Sequence, residues 1–127
     1  MHENEISRVI VDACFEIHTT LGPGLFETVY DTVLEYELHK RGLCHSRQVA
    51  IPVYYDGMCL SEGFRADFIV EDKVLVELKS VESTMPVHRK QVITYLKLSN
   101  LRLGLLINFG SPLLRDGITR LVNRLQE

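Results

Sequence analysis

The segment "GFRADFIVEDKVLVELKS", residues 63–80, decides the fold, because it alternates like two strands of a sheet around a turn at Asp72. The positions between its apolar residues carry charged side chains, among them Asp67, Glu77 and Lys79. The apolar alternate positions are Phe68, Val70, Val74, Val76 and Leu78. A sheet that brings two carboxylates and a lysine among buried positions needs a reason for doing so.

The turn between these two strands sets which side chains share a face of the sheet. A two-residue turn at residues 72–73 would place Asp67 opposite Leu78 and leave Glu77 on the other face. A three-residue turn at residues 71–73, or a one-residue bulge, would place Asp67 opposite Glu77, and directly opposed residues point to the same face. The second register separates polar from apolar side chains. We therefore predict it, with both carboxylates on the side of the sheet that faces the first helix.

Two carboxylates on one face repel each other unless a cation lies between them. Lys79 can supply part of that positive charge, and a divalent metal with oxygen ligands would supply more. The E-x-K spacing alone is weak evidence, because residues 71–73 in the predicted turn match it as well. The interpretation depends on the joint pattern, in which Asp67, Glu77 and Lys79 share one predicted face and a helix follows.

Length and composition are those of an ordinary soluble domain. The 127 residues suffice for one domain with its own core, and 46% are hydrophobic and 24% charged. No apolar stretch approaches the roughly 20 residues of a membrane-spanning helix, and the polar start "MHENEISR" does not resemble a signal peptide. Three widely spaced cysteines without a C-x-x-C pair indicate reduced thiols, so we expect a cytoplasmic protein.

The rest of the pattern predicts a single α/β domain over residues 1–127. A helix that connects two strands lets them pair in parallel, so we expect a mixed central β-sheet flanked by helices. The predicted elements are a helix over about 5–20, a break at "LGPG" (21–24), a helix to about 41, a hairpin over 47–61 with a turn at Asp56-Gly57, the strand pair 64–79, a helix from Pro86, a buried strand over 101–109 and a helix from Ser111.

Two further polar residues lie on predicted inward faces of helices. Glu27 shares a stripe with Leu34 in the second helix, and Gln91 shares one with Tyr95 in the later helix. A buried carboxylate is costly unless it is paired or binds a cation, so we expect Glu27 and Gln91 to converge on one spot. Simpler roles stay open: Glu27 as the third residue of a helix cap, and Gln91 bonded to a backbone carbonyl.

Several segments of the chain resemble a known family. "RADF" followed by "VELK" and "QVITY" resembles the PD-(D/E)XK nuclease superfamily, although Ala66 stands where the name of the superfamily has proline. "GLFETVY", residues 24–30, is similar to the GxxExxY motif that names a family of small bacterial and archaeal proteins within it. The resemblance covers nearly the whole chain and implies a restriction-endonuclease-like core with a metal-dependent nuclease activity.

The resemblance also implies a role for each site residue. Asp67 and Glu77 would be acidic ligands of Mg²⁺ or Mn²⁺, the carbonyl of Leu78 a third ligand, and Glu27 would complete the metal shell. Lys79 would position and activate the attacking water or stabilise the charge that develops on phosphorus. Oxygen ligands of this kind are the ones that Mg²⁺ prefers.

Other residues are candidate contacts to the substrate. Gln91 would hold the site or touch the phosphate backbone of the nucleic acid, for which DNA is favoured over RNA. Nucleases of this fold often act in pairs, so a homodimer is a further expectation by analogy. The remaining candidate nucleic-acid contacts are Tyr30, Arg65, Arg89, Lys90 and Tyr95.

The net charge of −3 argues against nucleic acid as the partner, because proteins that bind it are usually basic. Two alternatives therefore stay open, namely a catalytically silent binding module on a nuclease fold and a small-molecule phosphoesterase. Without the charges of Glu27, Asp67 and Glu77 the chain would be neutral, so its acidity lies largely in the proposed site. A pure binding module has no physical need for clustered carboxylates, which favours the nuclease.

Overall fold

The computed structural model describes residues 1–126, apart from the side chains of residues 61 and 62. Over this part of the chain, the elements are α1 (Glu3–Leu21), α2 (Glu27–Lys40), β1 (His45–Tyr55), β2 (Met58–Val70), β3 (Val74–Lys79), α3 (Pro86–Ser99), β4 (Leu103–Asn108), α4 (Leu114–Gly117) and β5 (Ile118–Val122). The strands form one sheet in the order β1-β2-β3-β4-β5. Only β3 and β4 are parallel, so the predicted α/β fold with a mixed sheet is confirmed.

The sheet separates two apolar layers, one under α1 and α2 and the other under α3. The apolar alternate positions of residues 63–80 all lie fully buried in the first layer, together with Ile6 and Ile10 of α1. Leu75 and Leu106 lie in the second layer with Val92 of α3. β4 is buried along its whole length, as its continuous apolar sequence predicted. No helix within residues 1–126 has the length and apolar character needed to cross a membrane.

Tyr30 anchors the turn between the first two helices. Its hydroxyl donates to the Gly22 carbonyl at 2.5 Å and accepts from the Leu25 N–H at 3.2 Å. Its ring is fully buried and stacks on Phe109, with 4.4 Å between the centroids. The prediction that Tyr30 contacts nucleic acid is therefore wrong, because the whole side chain is used inside the protein.

The predicted hairpin is present, but its second strand is longer than expected. Tyr55 pairs with Met58, and Asp56 and Gly57 both have positive φ, +48° and +79°, as a type I′ turn requires. The two short strands predicted over residues 58–70 are one continuous strand, β2. β1 runs beside it from Met58 to Val70. Near Gly63 the strand does not end as expected, and only the pairing register shifts, between the pairs Val53–Leu60 and Ile51–Phe64.

The helix predicted from Ser111 to the end is wrong. The chain forms only the single turn of α4 and then β5, which runs antiparallel to β4. Without β5, the outer edge of the buried β4 would leave backbone N–H and C=O groups without partners, and such groups are costly to bury. The spacing of Ile118, Leu121 and Val122 suits a helix, yet tertiary pairing decides otherwise.

Candidate active site

The two edges of β3 differ, and this difference creates the site. On one edge, β3 pairs with β4 at every residue from Val74 to Lys79. On the other edge, only three pairs join β2, from Phe68 opposite Val76 to the pair that closes the three-residue turn at 71–73. This is the predicted register, and it brings Asp67 and Glu77 to the first position beyond the ladder. Beyond that point β2 and β3 are no longer paired, and we call the space between them the gap.

In the gap, side chains take the place of ladder hydrogen bonds. The Asp67 N–H donates to Oε1 of Glu77 at 3.0 Å, and the Leu78 N–H donates to Oδ2 of Asp67 at 2.8 Å. Each carboxylate therefore accepts a backbone donor of the opposite strand. The amide of Gln48 donates to the other oxygen of Asp67 at 3.4 Å. These bonds hold the two predicted acidic residues against each other.

The side of the sheet on which Glu77 lies was predicted wrongly. Val76 and Leu78 pack in the layer under α1 and α2, so Glu77 between them points to the α3 side. Tyr95 of α3 confirms this, because the nearby charge of Glu77 adds to the effect of burial in raising the Tyr95 pKa. The apolar alternate positions of β3 lie on the face under α1 and α2, so its polar positions lie on the opposite face, towards α3.

Both strands of the hairpin change faces beside the gap. Phe68 packs under α1 and α2, whereas Ala66, two residues earlier, packs under α3. Residues two apart in a regular strand would share a face. The opposite strand is irregular at the same level, where Gln48 has a φ of +49°. Asp67 lies at this switch, which leaves its carboxylate in the gap instead of over an apolar layer.

The electrostatics of the gap favour a bound cation. Burial and, to a smaller extent, the charge of Asp67 raise the pKa of Glu77 to about 8, and the hydrogen bond from the Asp67 N–H and the charge of Lys79 offset this only in part. Burial also raises the pKa of Asp67, against the hydrogen bond from Leu78. The charge of Lys79 does not fully compensate the two buried carboxyl groups, and a divalent cation would supply the missing positive charge.

Glu27 lies at the mouth of a cleft beside the gap and is exposed, not inward as predicted. It is the first residue of α2, so it cannot be the third residue of a helix cap. The cleft measures about 310 Å³ and also includes Asp67 in its lining. Desolvation there raises the Glu27 pKa, Lys79 lowers it and Asp67 raises it, so these charges act on one another.

Gln91 does not occupy the predicted inward position. It is exposed on α3 and makes no side-chain hydrogen bond to another described residue, so its role at the site stays a prediction. Tyr95 is partly buried, and its ring stacks on Phe64. Three other candidate nucleic-acid contacts are exposed and also stay predictions: Arg65, Arg89 and Lys90.

Arg47 is a residue of the cleft that sequence reasoning missed. Its guanidinium donates to the buried Asp31 and, at 2.9 Å, to Glu35. The hydrogen bond that Arg47 donates to Asp31 is the main cause that raises the Arg47 pKa. The remaining new lining residues are Thr28, Thr32 and Gln48. Asp31 could have been found, because it follows Glu27 by four residues and so shares its helix face.

Lys79 is held in place from two directions. It ends the β3–β4 ladder, and its carbonyl accepts the Phe109 N–H at 2.9 Å. Two residues after Lys79, the chain is held by hydrogen bonds to the buried side chain of Asn108. Asn108 accepts from the N–H of Val81 at 3.0 Å and donates to the Val81 carbonyl at 2.9 Å. The position of Lys79 therefore depends on β4 and not on the gap.

The oxygen atoms around the gap are suitable ligands for a hard divalent cation. Within residues 1–126, no group of three or more His, Cys, Asp and Glu side chains could hold a metal by itself. Mg²⁺ needs only one or two carboxylates, because it keeps several waters and takes substrate oxygens. Since the N–H and C=O of one strand residue point to the same side, the Leu78 carbonyl also faces the gap. Asp67, Glu77 and this carbonyl form an all-oxygen set.

Comparison with known proteins agrees with this geometry. Residues 4–121 match the sequence model of the PD-(D/E)XK nuclease superfamily. Searches of the curated proteins and of the solved structures gave no match. The matched range includes both strands of the gap, α2 and α3. By this match over most of its length, the chain belongs to the PD-(D/E)XK nuclease superfamily.

Proposed function

We propose that this protein is a metal-dependent nuclease of the GxxExxY family that hydrolyses phosphodiester bonds of nucleic acid, with DNA favoured over RNA. The observation that supports it most is the gap, where Asp67 and Glu77 lie against each other at the end of the strand that carries Lys79. The GxxExxY spacing also has a structural reason here. Tyr30 ties the turn before α2, and Glu27 begins α2 at the cleft.

The acidic residues would hold Mg²⁺ or Mn²⁺ in the gap. Asp67, Glu77 and the Leu78 carbonyl would be its ligands, and Glu27 would approach from the mouth of the cleft. When bound, such a cation polarises a phosphoryl oxygen and lowers the pKa of a bound water. Binding would also offset the burial and the repulsion by Asp67 that together raise the pKa of Glu77 in the metal-free protein.

Lys79 would act on the water and the phosphate. Its charge acts on Glu27, Asp67 and Glu77, yet within the described residues it forms no ion pair with any of them. The ammonium is therefore available to orient the attacking water or to balance charge on the phosphoryl group. Removing a group of this kind costs about 10²-fold or more in rate.

A catalytically silent binding module is the second candidate. The net charge of −3 and the lack of a ready three-ligand group in residues 1–126 favour it over a nuclease that binds duplex DNA through many phosphates.

We expect the protein to work in the cytoplasm, since its three cysteines are free thiols. A homodimer remains an expectation by analogy with other nucleases of this fold.

Three alanine variants test the nuclease proposal. With Mg²⁺ or Mn²⁺ and labelled DNA and RNA, Asp67→Ala and Glu77→Ala should lose metal binding and cleavage together. Lys79→Ala should lose cleavage by about 10²-fold or more and keep the metal. Metal binding is measured by calorimetry and cleavage on denaturing gels. A parent protein that cuts no nucleic acid would favour the binding module, and cutting in excess chelator would exclude the metal mechanism.

A further inference from the structure

Phe26 is an exposed apolar aromatic residue that directly precedes Glu27, one of the residues that line the cleft. Its side chain is 83% exposed, the largest exposure among the large hydrophobic residues that the structure describes. The residue before it, Leu25, accepts a 2.5 Å hydrogen bond through its carbonyl from Ser80, next to Lys79. The backbone at Phe26 is therefore held between Glu27, which lines the cleft, and Ser80, which is next to Lys79.

Packing does not account for Phe26. Among the described residues, it belongs to neither apolar layer and stacks on no other ring. As the residue before α2, it gives the helix no side-chain hydrogen bond. Polar residues such as Ser, Thr, Asp or Asn serve better at that position. The turn itself is held by Tyr30, so a phenylalanine is not needed there for the fold.

The cleft that Glu27 lines has the size and chemistry of a site for one nucleotide. Its volume of about 310 Å³ is at the lower end for small-molecule sites. Gln48 and two threonines line it with hydrogen-bond donors suited to sugar and phosphate oxygens. A base can enter a pocket only when it is unpaired, as in enzymes that take single-stranded substrate or turn a nucleotide out of the duplex to act on its base.

Charge also favours an unpaired substrate. Duplex binding draws most of its affinity from many contacts between Lys or Arg and phosphate. Here the net charge is −3, and Arg47, the arginine of the cleft, is engaged with Asp31 and Glu35. Stacking of a base on an aromatic ring contributes affinity without a basic surface, and only an unpaired base offers its face.

We propose that the site takes an unpaired nucleotide, with its base stacked on Phe26 and its sugar and phosphate in the cleft beside Asp67. The preferred substrate is then single-stranded or locally unpaired nucleic acid, in preference to continuous duplex. This inference rests on the proposed function for the reaction that follows binding. The stacking itself can be measured without cleavage.

Binding is measured with labelled 12-residue oligonucleotides in the Lys79→Ala background with Mn²⁺. Single-stranded DNA, single-stranded RNA and duplex DNA of one sequence are compared by fluorescence anisotropy. Phe26→Ala should weaken single-strand binding by roughly five- to 150-fold, the effect of losing one stacked base. Phe26→Trp should keep it, whereas Phe26→Leu should not. Tyr36→Ala, which removes an exposed aromatic residue within α2, is the matched control and should change nothing.

A spectroscopic measurement separates stacking from an indirect effect. An oligonucleotide carrying 2-aminopurine should lose fluorescence on binding to the parent, because stacking quenches this base, and the loss should be absent with Phe26→Ala. A parent that binds duplex as tightly as single strands, or that binds no nucleic acid, would overturn the inference. So would a Phe26→Ala variant that changes only the oligomeric mass, since Phe26 would then belong to a protein interface.

The two proposals fail in different ways. A parent that binds single strands through Phe26 but never cuts them would refute the nuclease and support the inference. A parent that cuts in Mn²⁺, with Phe26→Ala binding and cutting as well as Tyr36→Ala does, would support the nuclease and refute the inference.

Discussion

β3 separates a closed half of the sheet from an open one. On the β4 side, six consecutive residue pairs join the two strands, and every residue in them except Lys79 is buried. On the β2 side, pairing stops after three, and beyond it the carboxylates of Asp67 and Glu77 accept the backbone N–H groups that a partner strand would have used. The same strand thus contributes to the core through one edge and to the site through the other.

The difference shows how a stable fold can hold an unfavourable group. Buried carboxylates are costly, and the pKa of Glu77, raised to about 8, reflects that cost. The complete β3–β4 ladder keeps the strand in position in spite of it. We infer that stability comes from the closed half and that the strain of the open half remains available for binding a cation.

The largest expected effect tests the closed half. Leu105 of β4 is 1% exposed, so Leu105→Ala should lower the free energy of unfolding by about 2–5 kcal/mol, through lost burial and the cavity left behind. Leu60→Ala, on the exposed part of β2, is the control and should stay within about 0.5 kcal/mol of the parent. Urea denaturation measures both. Equal losses at the two sites would refute the contrast between the halves.

The pH dependence of stability tests the open half. In the metal-free protein the Glu77 pKa is about 8, raised from 4.5, so folded protein holds a proton that unfolded protein has lost between these values. The contribution of Glu77 is therefore fully present below about pH 4.5 and is lost as the pH rises to 8. Its slope reaches about 1.4 kcal/mol per pH unit.

Glu77→Gln is the matched variant for this pH profile. It keeps an oxygen to accept the Asp67 N–H but has no proton to lose, so this fall in stability should disappear. Urea denaturation in chelator from pH 5 to 9 measures the slopes. A variant with the same slope as the parent would show that Glu77 is not the group responsible.

The smallest effect concerns the wall of the cleft. Arg47→Ala leaves the buried Asp31 without its cation, and should cost about 1 kcal/mol, because a third of the Arg47 side chain is exposed and screened by solvent. Arg65→Ala, an exposed arginine of the next strand, should cost less than about 0.5 kcal/mol. Thermal unfolding compares them. If the two variants are equally stable, the Arg47–Asp31 pair does not support the cleft.

Local patterns predicted much of this molecule. The alternation over residues 63–80 predicted the register that joins Asp67 to Glu77, because only one turn length separates polar from apolar side chains. The Asp56-Gly57 pair and Pro86 also marked their turn and helix start correctly. These features depend on a few neighbouring residues, so the sequence contains them directly.

The features that were missed depend on distant contacts. The segment 118–122 fits a helix or a strand, and the unpaired edge of β4 decides for the strand. The face switch at Asp67 arises with a positive φ at Gln48, for which glutamine carries no sequence signal. Tyr30 resembles a substrate contact in its motif, but its partners Gly22 and Phe109 bury it.

The two hydrogen bonds between the Asn108 side chain and Val81 have an evolutionary consequence. The side-chain amide of Asn108 makes the two hydrogen bonds to the Val81 backbone that a neighbouring strand would otherwise make. The position of Lys79 therefore does not depend on the loop that follows Val81. The segment 82–85, which leads to α3, can then gain or lose residues without moving the lysine. We expect sequence and length variation to accumulate in that loop while the position of Lys79 beside the gap stays constant.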